Sequence, residues 1–495
     1  MRTAVVVGSG LGGIATTLRL RALGLDVHLL ERLPAIGGRA QFFEHQGYRH
    51  DAGPTVITAP FLFDELFQLF GEQRSDYIEF RTLDPWYRFI YPDGDHFNYG
   101  GTLEDTLDEI RRISPRDCAG YQALVAHSKK IFDVGFEQLA HEPFHQFSTM
   151  FKQIPQLAKL RSDRTVWDVV CKHLHHDKLR QAFSIQPLLV GGSPFDTTSI
   201  YGLIHYLERA YGIHFAMGGT GALIKALEKL MLKQGVTLQT DTTVDEILIQ
   251  GRRAKGVKCT SGEVIEADCV VYNGDPMHMY RHLMPEKSLP ITTRLKRKHS
   301  KLSMGLYVLF FGTAHQYNDV AHHTIWMGRR YKALLDDIFH HQILADDFSL
   351  YVHRPTATDP SFAPSGHDSF YVLAPVPHQG GNINWQIEEP KLRERIISAL
   401  DKTLLPQLKQ HIRAPFSMTP DNFAEDYLSY QGAGFSVAPL LTQSAWFRFH
   451  NKAEGFENLF LAGAGTHPGA GMPGVISSAK VVETLVKRSL NAKAA

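Results

Sequence analysis

Two glycine-rich signatures stand near opposite ends of this 495-residue chain, and each directly follows an apolar run. The first is Gly8-Ser9-Gly10-Leu11-Gly12-Gly13, after Ala4-Val5-Val6-Val7. Its spacing is typical of a strand that turns into a helix around a dinucleotide pyrophosphate: Gly8 allows the tight turn, Gly10 lets the backbone approach phosphate, and Gly13 lets helix and strand pack closely. The helix, predicted from about Gly12 to Leu23, offers N–H groups and a positive dipole end to the phosphates. The pattern therefore predicts a dinucleotide site.

An acidic residue ends the second predicted strand, Val27–Leu30. The carboxylate of Glu31, next to Arg32, is placed to accept hydrogen bonds from an adenosine ribose and would repel a 2′-phosphate. A glycine-rich turn without a ligand is the alternative, and the combination of strand, helix and terminal acid disfavours it.

The residues after Glu31 favour FAD over NAD. A nicotinamide domain would continue here with another helix–strand unit, whereas this chain has Gly37-Gly38-Arg39. Gly38 and Arg39 are interpreted as a second phosphate or ribityl clamp, with Arg39 as a charged hydrogen-bond donor. A surface turn with a solvated arginine is the simpler alternative.

The second signature runs from Gly463 to Gly474 (GAGTHPGAGMPG) and follows Leu459–Ala462. A helix is predicted after Gly474, with its N-terminus directed at the pyrimidine end of the flavin, where it would stabilise negative charge. A glycine-rich helix start selected for packing alone is the alternative. The predicted cofactor contacts in this part of the chain are Gly463, Gly465, Gly471, Met472, Pro473 and Val475.

The stretches between the signatures predict an α/β fold with five segments. A Rossmann-type FAD-binding domain is expected to be discontinuous, with a mixed-sheet substrate domain and a helical, membrane-facing region between its parts. The predicted segments are 1–80 (FAD-binding, first part), 81–215 (helical and substrate region), 216–290 (FAD-binding, second part), 291–440 (substrate-binding sheet) and 441–495 (FAD-binding, third part). Val244, in a β-rich segment, is expected where the backbone meets adenine.

Composition limits the class of protein and its partners. Hydrophobic residues make up 43% of the chain and the formal net charge is +1, which gives no reason to expect nucleic acid as a partner. The four cysteines form no C-x-x-C pair, in keeping with a reducing cytoplasm. The longest nearly apolar stretch, Leu302–Gly312, is too short to span a bilayer, so any membrane association is expected to be peripheral.

Several weaker signals leave alternatives open. Histidine clusters at 173–176 and 340–341 are expected to be hydrogen-bonded or solvated, and no metal is predicted. An apolar stripe (Phe147, Met150, Phe151, Ile154, Leu157, Leu160) fits a membrane contact or a core-facing helix equally well. The basic run 294–301 would suit anionic lipid headgroups or a solvated linker. No catalytic residue or general base is predicted.

Three motifs give the whole chain a family resemblance: Tyr48–Thr55 (YRHDAGPT), Leu189–Phe195 (LVGGSPF) and Ala462–Val475. The chain resembles the bacterial-type phytoene desaturases, a carotenoid-forming branch of the flavin amine-oxidase-like superfamily. The resemblance implies cofactor contacts at Pro54 and Thr55 and FAD as hydride acceptor. Because no cysteine pair is available to relay electrons, oxygen or a membrane quinone is expected as the final electron acceptor. The resemblance also implies desaturation of membrane-dissolved phytoene, towards lycopene-type products, by a cytoplasmic protein on the bilayer surface. A carotenoid isomerase or saturase, a flavin amine oxidase and a flavin-free prenyl-lipid carrier are the alternatives.

Overall fold

A five-stranded parallel sheet carries both glycine signatures at the ends of its strands. The computed structural model describes residues 2–146, 148, 150, 153, 155 and 159–491, so most of the predicted stripe from Phe147 to Leu160 lies outside the described residues. The sheet takes its strands from three separated parts of the chain, and all neighbouring pairs are parallel. In spatial order these strands are Leu459–Leu461, Cys269–Tyr272, Thr3–Val7, Asp26–Leu30 and Thr237–Gln239.

Three helices bury apolar faces against one side of the parallel sheet: Leu11–Ala22, Gly219–Lys233 and Met472–Asn491. Leu18, Leu227 and Val482, one from each helix, are fully buried in this shared core. Arg19 of the first helix bonds Glu483 of the last at 2.9 Å, and the pair lies on the edge of that core. The N- and C-terminal parts of the chain therefore form one packed unit, as the predicted discontinuous domain requires.

A seven-stranded mixed sheet forms the second layer. Its spatial order is Ile412–Met418, Gly305–Thr313, Asp368–Val376, Leu350–His353, His323–Trp326, Tyr87–Ile90 and His96–Tyr99. Tyr87–Ile90 runs parallel to His323–Trp326, and the remaining pairs are antiparallel. Five of the seven strands lie within the segment predicted as the substrate-binding sheet, 291–440, but the two from residues 87–99 lie outside it. Tyr87–Ile90 joins the sheet through His323–Trp326, more than 200 residues away, so no local pattern reports that pairing. His96–Tyr99 pairs with Tyr87–Ile90 and follows it into the sheet.

The other elements complete the α/β fold, whose class is as predicted. The remaining strands are Val244–Gln250, Arg253–Cys259 and Val264–Glu266, which form an antiparallel sheet, and the pairs Phe42–His45 with Tyr48–Asp51 and Phe80–Thr82 with His214–Ala216. The remaining α-helices are Pro60–Gln68, Leu103–Ile113, Cys118–Gly135, Val166–His173, Asp177–Ala182, Leu203–Tyr211, Pro276–His278, Ile291–His299, Tyr331–Asp336, Trp385–Lys402, Leu408–His411 and Pro420–Asp426. Among the described residues, none of the helices combines the length and the apolar character needed to cross a bilayer.

Candidate active site

The first glycine signature forms a tight strand-to-helix turn. Gly8 has a φ of +94°, and its N–H donates to the carbonyl oxygen of Leu30 at 2.8 Å. A Cβ on Gly13 would lie 2.0 Å from the carbonyl oxygen of Gly8, so the helix can pack this close to the strand only with glycine there. Gly8 and Gly13 therefore have the local roles that the sequence predicted.

The second signature meets the first at the carboxyl edge of the parallel sheet. Gly463 and Gly471 have φ values of +113° and +87°, and the last helix begins at Met472. A Cβ on Gly12 would lie 3.1 Å from Cγ1 of Val475 and 3.2 Å from Cα of Gly463. The N-terminal ends of two helices thus converge on one place, which concentrates free N–H groups and positive dipole ends there.

Asn273 links the two signatures and was not predicted from the sequence. Its Nδ2 donates to the carbonyl oxygen of Ala462 at 3.0 Å. A Cβ on Gly10 would lie 2.9 Å from its Oδ1, and one on Gly463 would lie 2.8 Å from its Nδ2. Asn273 follows the strand Cys269–Tyr272, which lies between the two signature strands. The sheet order would have identified the residue, but a single asparagine after a strand is not a signal by itself.

Glu31 is buried, and its carboxylate has one hydrogen-bond acceptor position left for a ligand hydroxyl. Oε2 accepts from the N–H of Ser9 at 2.8 Å and from its Oγ at 2.5 Å, and Oε1 accepts from the N–H of Leu33 at 2.9 Å. A carboxylate offers about four acceptor positions, so about one is left. The geometry fits a ribose hydroxyl and also shows that Glu31 holds the turn that carries the signature.

The two predicted arginines have different surroundings. Arg32 donates to the carbonyl oxygens of Glu425, at 2.7 Å, and Asp426. Arg39 donates from Nη2 to Oγ of Ser429 at 2.5 Å, while its buried Nε has no hydrogen-bond partner among the described residues. Burial lowers the pKa of Arg39, and the nearby carboxylate of Asp275 opposes this effect. Arg39 therefore offers an unsatisfied buried donor, as a phosphate or ribityl clamp requires.

One cavity of about 560 Å³ connects these groups. Sixteen of the seventeen predicted cofactor contacts line it, and the exception is Gly13, which packs against the strand instead. The predicted contacts that line the cavity are Gly8, Gly10, Gly12, Glu31, Arg32, Gly38, Arg39, Pro54, Thr55, Val244, Gly463, Gly465, Gly471, Met472, Pro473 and Val475. The structure thus brings residues from four distant parts of the sequence to one wall, although their individual contacts with a cofactor stay predictions.

The same cavity continues into apolar surroundings made by the mixed sheet and the helical region. Representative side chains from the sheet side are Leu306, Ile325, Met327, Leu335 and Leu373, and from the helical side Ile185, Leu188, Ile204 and Leu207. Such walls favour a hydrocarbon, because every methylene that leaves water for them contributes about 0.8 kcal/mol. A dinucleotide cradle and an apolar chamber are therefore parts of one continuous space.

Few polar groups interrupt the apolar wall, and the sequence analysis named only Thr55 among them. Oγ1 of Thr55 lies 2.6 Å from the hydroxyl of Tyr351, which in turn lies 2.7 Å from Nδ1 of His323. Glu208 is fully buried and lies 3.4 Å from the hydroxyl of Tyr87. Burial raises the pKa of Glu208 to about 8. These groups can hold or accept a proton beside an otherwise apolar chamber.

Histidines of both predicted clusters contact protein groups, as expected. The distances are 3.1 Å from His173 to His127, 3.0 Å from His175 to Asp117, 3.0 Å from His340 to Asp196 and 3.2 Å from His341 to Asp337. A different group, which was not predicted, lies behind Tyr351. His322, His323 and His353 are buried, and one ring nitrogen of each lies within 4.8 Å of the others, a grouping that could hold a metal ion.

Comparison with known protein families identifies the class. The model of the family described as flavin-containing amine oxidoreductase matches residues 11–482. The chain belongs to this family. This family uses a flavin cofactor, and the convergent glycine signatures, with Glu31 and Arg39, form a site that fits it. The predicted cofactor, FAD, and the predicted class, an FAD-dependent oxidoreductase, are therefore confirmed.

Curated relatives within the family are similar over their full length. The phytoene desaturase (lycopene-forming) of Pantoea ananas is 43% identical over 491 residues, which are 99% of this chain and 100% of the relative. The phytoene desaturase (neurosporene-forming) of Cereibacter sphaeroides is 41% identical over 97% of this chain and 94% of its own length. The resemblance predicted from the three motifs is therefore confirmed.

Solved structures of the same fold are more distant in sequence. A cyclohexylamine oxidase from Brevibacterium oxydans has a TM-score of 0.63 at 15% identity and covers 98% of this chain and 99% of its own. A putrescine oxidase bound to putrescine has a TM-score of 0.62 at 13% identity, with 100% and 99% covered. At such identities the likeness shows the fold alone.

Proposed function

We propose that this protein is an FAD-dependent desaturase that introduces double bonds into phytoene, towards lycopene-type products. The observation that carries the proposal is the single cavity in which the dinucleotide cradle opens into an apolar chamber. The full-length similarity to curated phytoene desaturases supports the same substrate.

The chain's own residues divide the binding of FAD among them. Glu31 would bind the adenosine ribose, the glycine turn at 8–13 the pyrophosphate, and Arg39 a phosphate or the ribityl chain. The helix that starts at Met472 would direct its N-terminal N–H groups at the flavin end. When bound, FAD supplies a two-electron acceptor for hydride.

The apolar chamber positions the hydrocarbon and excludes water. Each new carbon–carbon double bond requires that adjacent carbons lose one hydride and one proton. The hydride would go to bound FAD, and the proton needs a base on the wall. Glu208 in its ionised form is the candidate base, because it lines the cavity and its raised pKa, about 8, makes its carboxylate more basic than an ordinary one. Thr55 and Tyr351 carry neutral hydroxyls, and burial raises the pKa of Tyr351, so this pair can orient a group but cannot take up the proton.

The solubility of the proposed substrate also bears on where in the cell the protein works. Phytoene dissolves in the bilayer, so we infer peripheral, reversible contact between a cytoplasmic protein and a membrane surface. The four cysteines form no C-x-x-C pair, so the sequence offers no local dithiol that could relay electrons. Oxygen or a membrane quinone is the proposed final acceptor.

Product analysis tests this proposal. FAD-loaded protein is incubated aerobically with vesicles that contain phytoene, and the carotenoids are separated by chromatography. We expect products with additional conjugated double bonds. Unchanged phytoene would refute desaturation, a rearranged product with the same number of double bonds would indicate an isomerase, and one with fewer double bonds would indicate a saturase.

A further inference from the structure

Two neighbouring surface segments carry an unusual share of exposed apolar side chains. Ten large apolar residues are well exposed in the described part of the chain, and four of them lie on the helix Ile291–His299 and the turn 441–447. Ile291 is 74% exposed, Leu295 51%, Leu441 38% and Phe447 43%. Single exposed apolar residues are normal, but a group of them on adjoining segments indicates an interaction surface.

Hydrogen bonds hold the two segments side by side. Nζ of Lys296 donates to the carbonyl oxygens of Trp446, at 3.3 Å, and Arg448, at 2.9 Å. Just beyond the helix, the N–H of Lys301 donates to Oε1 of Gln443 at 2.6 Å, and Nε2 of Gln443 donates back to Lys301 at 3.0 Å. The two segments that carry the four apolar side chains are therefore fixed side by side.

Positive charge accompanies the apolar side chains. Ile291, Arg294, Leu295 and Lys298 follow the i, i+3, i+4, i+7 spacing of one helix face, and all four are exposed. Glu286 lies nearby, and its carboxylate contacts Arg297 and, at 3.8 Å, Arg294. An apolar stripe flanked by cations is typical of a helix that lies in the headgroup region of an anionic bilayer.

Part of the cavity wall is exposed at the same place. Leu441, Ser444 and Ala445 line the cavity, and all three are at least partly exposed. A bilayer that contacts Leu441 and Phe447 would therefore lie against this part of the cavity wall. Since the chamber is apolar, a hydrocarbon could enter it from the bilayer with little contact with water.

We propose that Ile291, Leu295, Leu441 and Phe447, with Arg294 and Lys298, form a docking face for an anionic lipid bilayer. The face places the exposed part of the cavity wall against the membrane that contains the hydrocarbon. The role in substrate delivery rests on the proposed function, whereas binding of the face to lipid does not.

Vesicle flotation with matched variants tests the docking face. The variant Ile291→Ser/Leu295→Ser/Phe447→Ser removes three of its apolar side chains. The control Leu232→Ser/Val264→Ser/Ile387→Ser removes three side chains that are 51–54% exposed elsewhere. With vesicles of phosphatidylglycerol and phosphatidylcholine, we expect the docking variant to float at least tenfold less than wild type and the control to float like wild type. Equal flotation of the two variants would overturn the proposal.

A charge variant separates lipid binding from other occupants of the face. Arg294→Glu/Lys298→Glu should reduce flotation with anionic vesicles, whereas Lys255→Glu/Lys258→Glu, exposed on the strand Arg253–Cys259 outside the face, should not. If the docking variant instead converts an oligomer into a monomer in size-exclusion chromatography and floats normally, the face is a self-association surface and the proposal is wrong.

Turnover in detergent micelles distinguishes failure of docking from failure of the proposed function. The docking variant should convert micellar phytoene at the wild-type rate and vesicle-bound phytoene at least tenfold more slowly. Normal flotation of wild type without any turnover would refute the desaturase function and leave the docking face intact. Equal loss of turnover in both media would overturn the delivery role of the face.

Discussion

Glu31→Gln is the substitution that most directly tests the cofactor site. The substitution keeps the size of the side chain and one hydrogen-bonding oxygen, but it removes the negative charge that a ribose hydroxyl would contact. A hydrogen bond to a charged group contributes about 1.5–3 kcal/mol, which corresponds to a loss of FAD affinity of roughly 10- to 150-fold. The amide also retains one of the two acceptor oxygens that now serve Ser9 and Leu33. The protein without cofactor should therefore lose only a few degrees of Tm.

The assay is titration of the cofactor-free protein with FAD, followed by flavin fluorescence, together with thermal unfolding without FAD. Glu389→Gln is the matched control. Its carboxylate also accepts several hydrogen bonds, from Tyr307 at 3.0 Å and from Arg393 at 2.9 and 2.8 Å, but it does not line the cavity. FAD affinity of Glu31→Gln within twofold of wild type would show that the ribose assignment is wrong. A large fall in Tm would show that Glu31 serves mainly the fold.

Three further predictions concern packing, substrate approach and pH. Gly13→Ala should abolish FAD binding, because its Cβ would lie 2.0 Å from the carbonyl oxygen of Gly8, whereas Gly202→Ala, whose Cβ would meet only Cδ1 of Ile131, at 3.7 Å, should retain it in the same titration. Pro473→Phe should leave FAD bound and slow anaerobic flavin bleaching by phytoene at least tenfold; an unchanged rate would place the substrate elsewhere. Burial raises the pKa of Glu208 from 4.5 to about 8, so between these pH values the folded state holds a proton that the unfolded state releases. The contribution of Glu208 to stability is therefore fully present below pH 4.5 and is lost as the pH rises to about 8. The free energy of unfolding of wild type, measured with denaturant, should fall relative to that of Glu208→Gln by up to about 1.4 kcal/mol per pH unit across that window. If the free energies of the two proteins change in parallel with pH, the raised pKa of Glu208 is wrong.

The sequence predicted the parts of the site that depend on local rules. Gly8 and Gly13 have the turn and packing roles that strand–glycine–helix spacing implies, and residues near 12 and 463 meet because parallel strands end at one edge of a sheet. Asn273 was missed because its importance comes from the position of its strand between the two signature strands. The order of strands is a property of the whole chain and leaves no local pattern.

The apolar half of the site was less predictable for a related reason. Glu208 is one acid on an amphipathic helix, and only burial in the folded protein makes its pKa unusual. The bond between Thr55 and Tyr351 joins residues 296 positions apart. Such contacts follow from long-range packing of the helical region on the mixed sheet, which periodicity and turn residues do not specify.

An anaerobic single-turnover experiment shows whether one cavity brings the hydrocarbon to FAD. FAD-loaded protein is mixed with phytoene-containing vesicles, while the flavin absorbance and the new double bonds are followed in parallel. We expect the flavin band to bleach at the rate at which the first double bond forms, and to recover when oxygen or a quinone is admitted. Formation of double bonds without any bleaching of the flavin band would contradict this expectation.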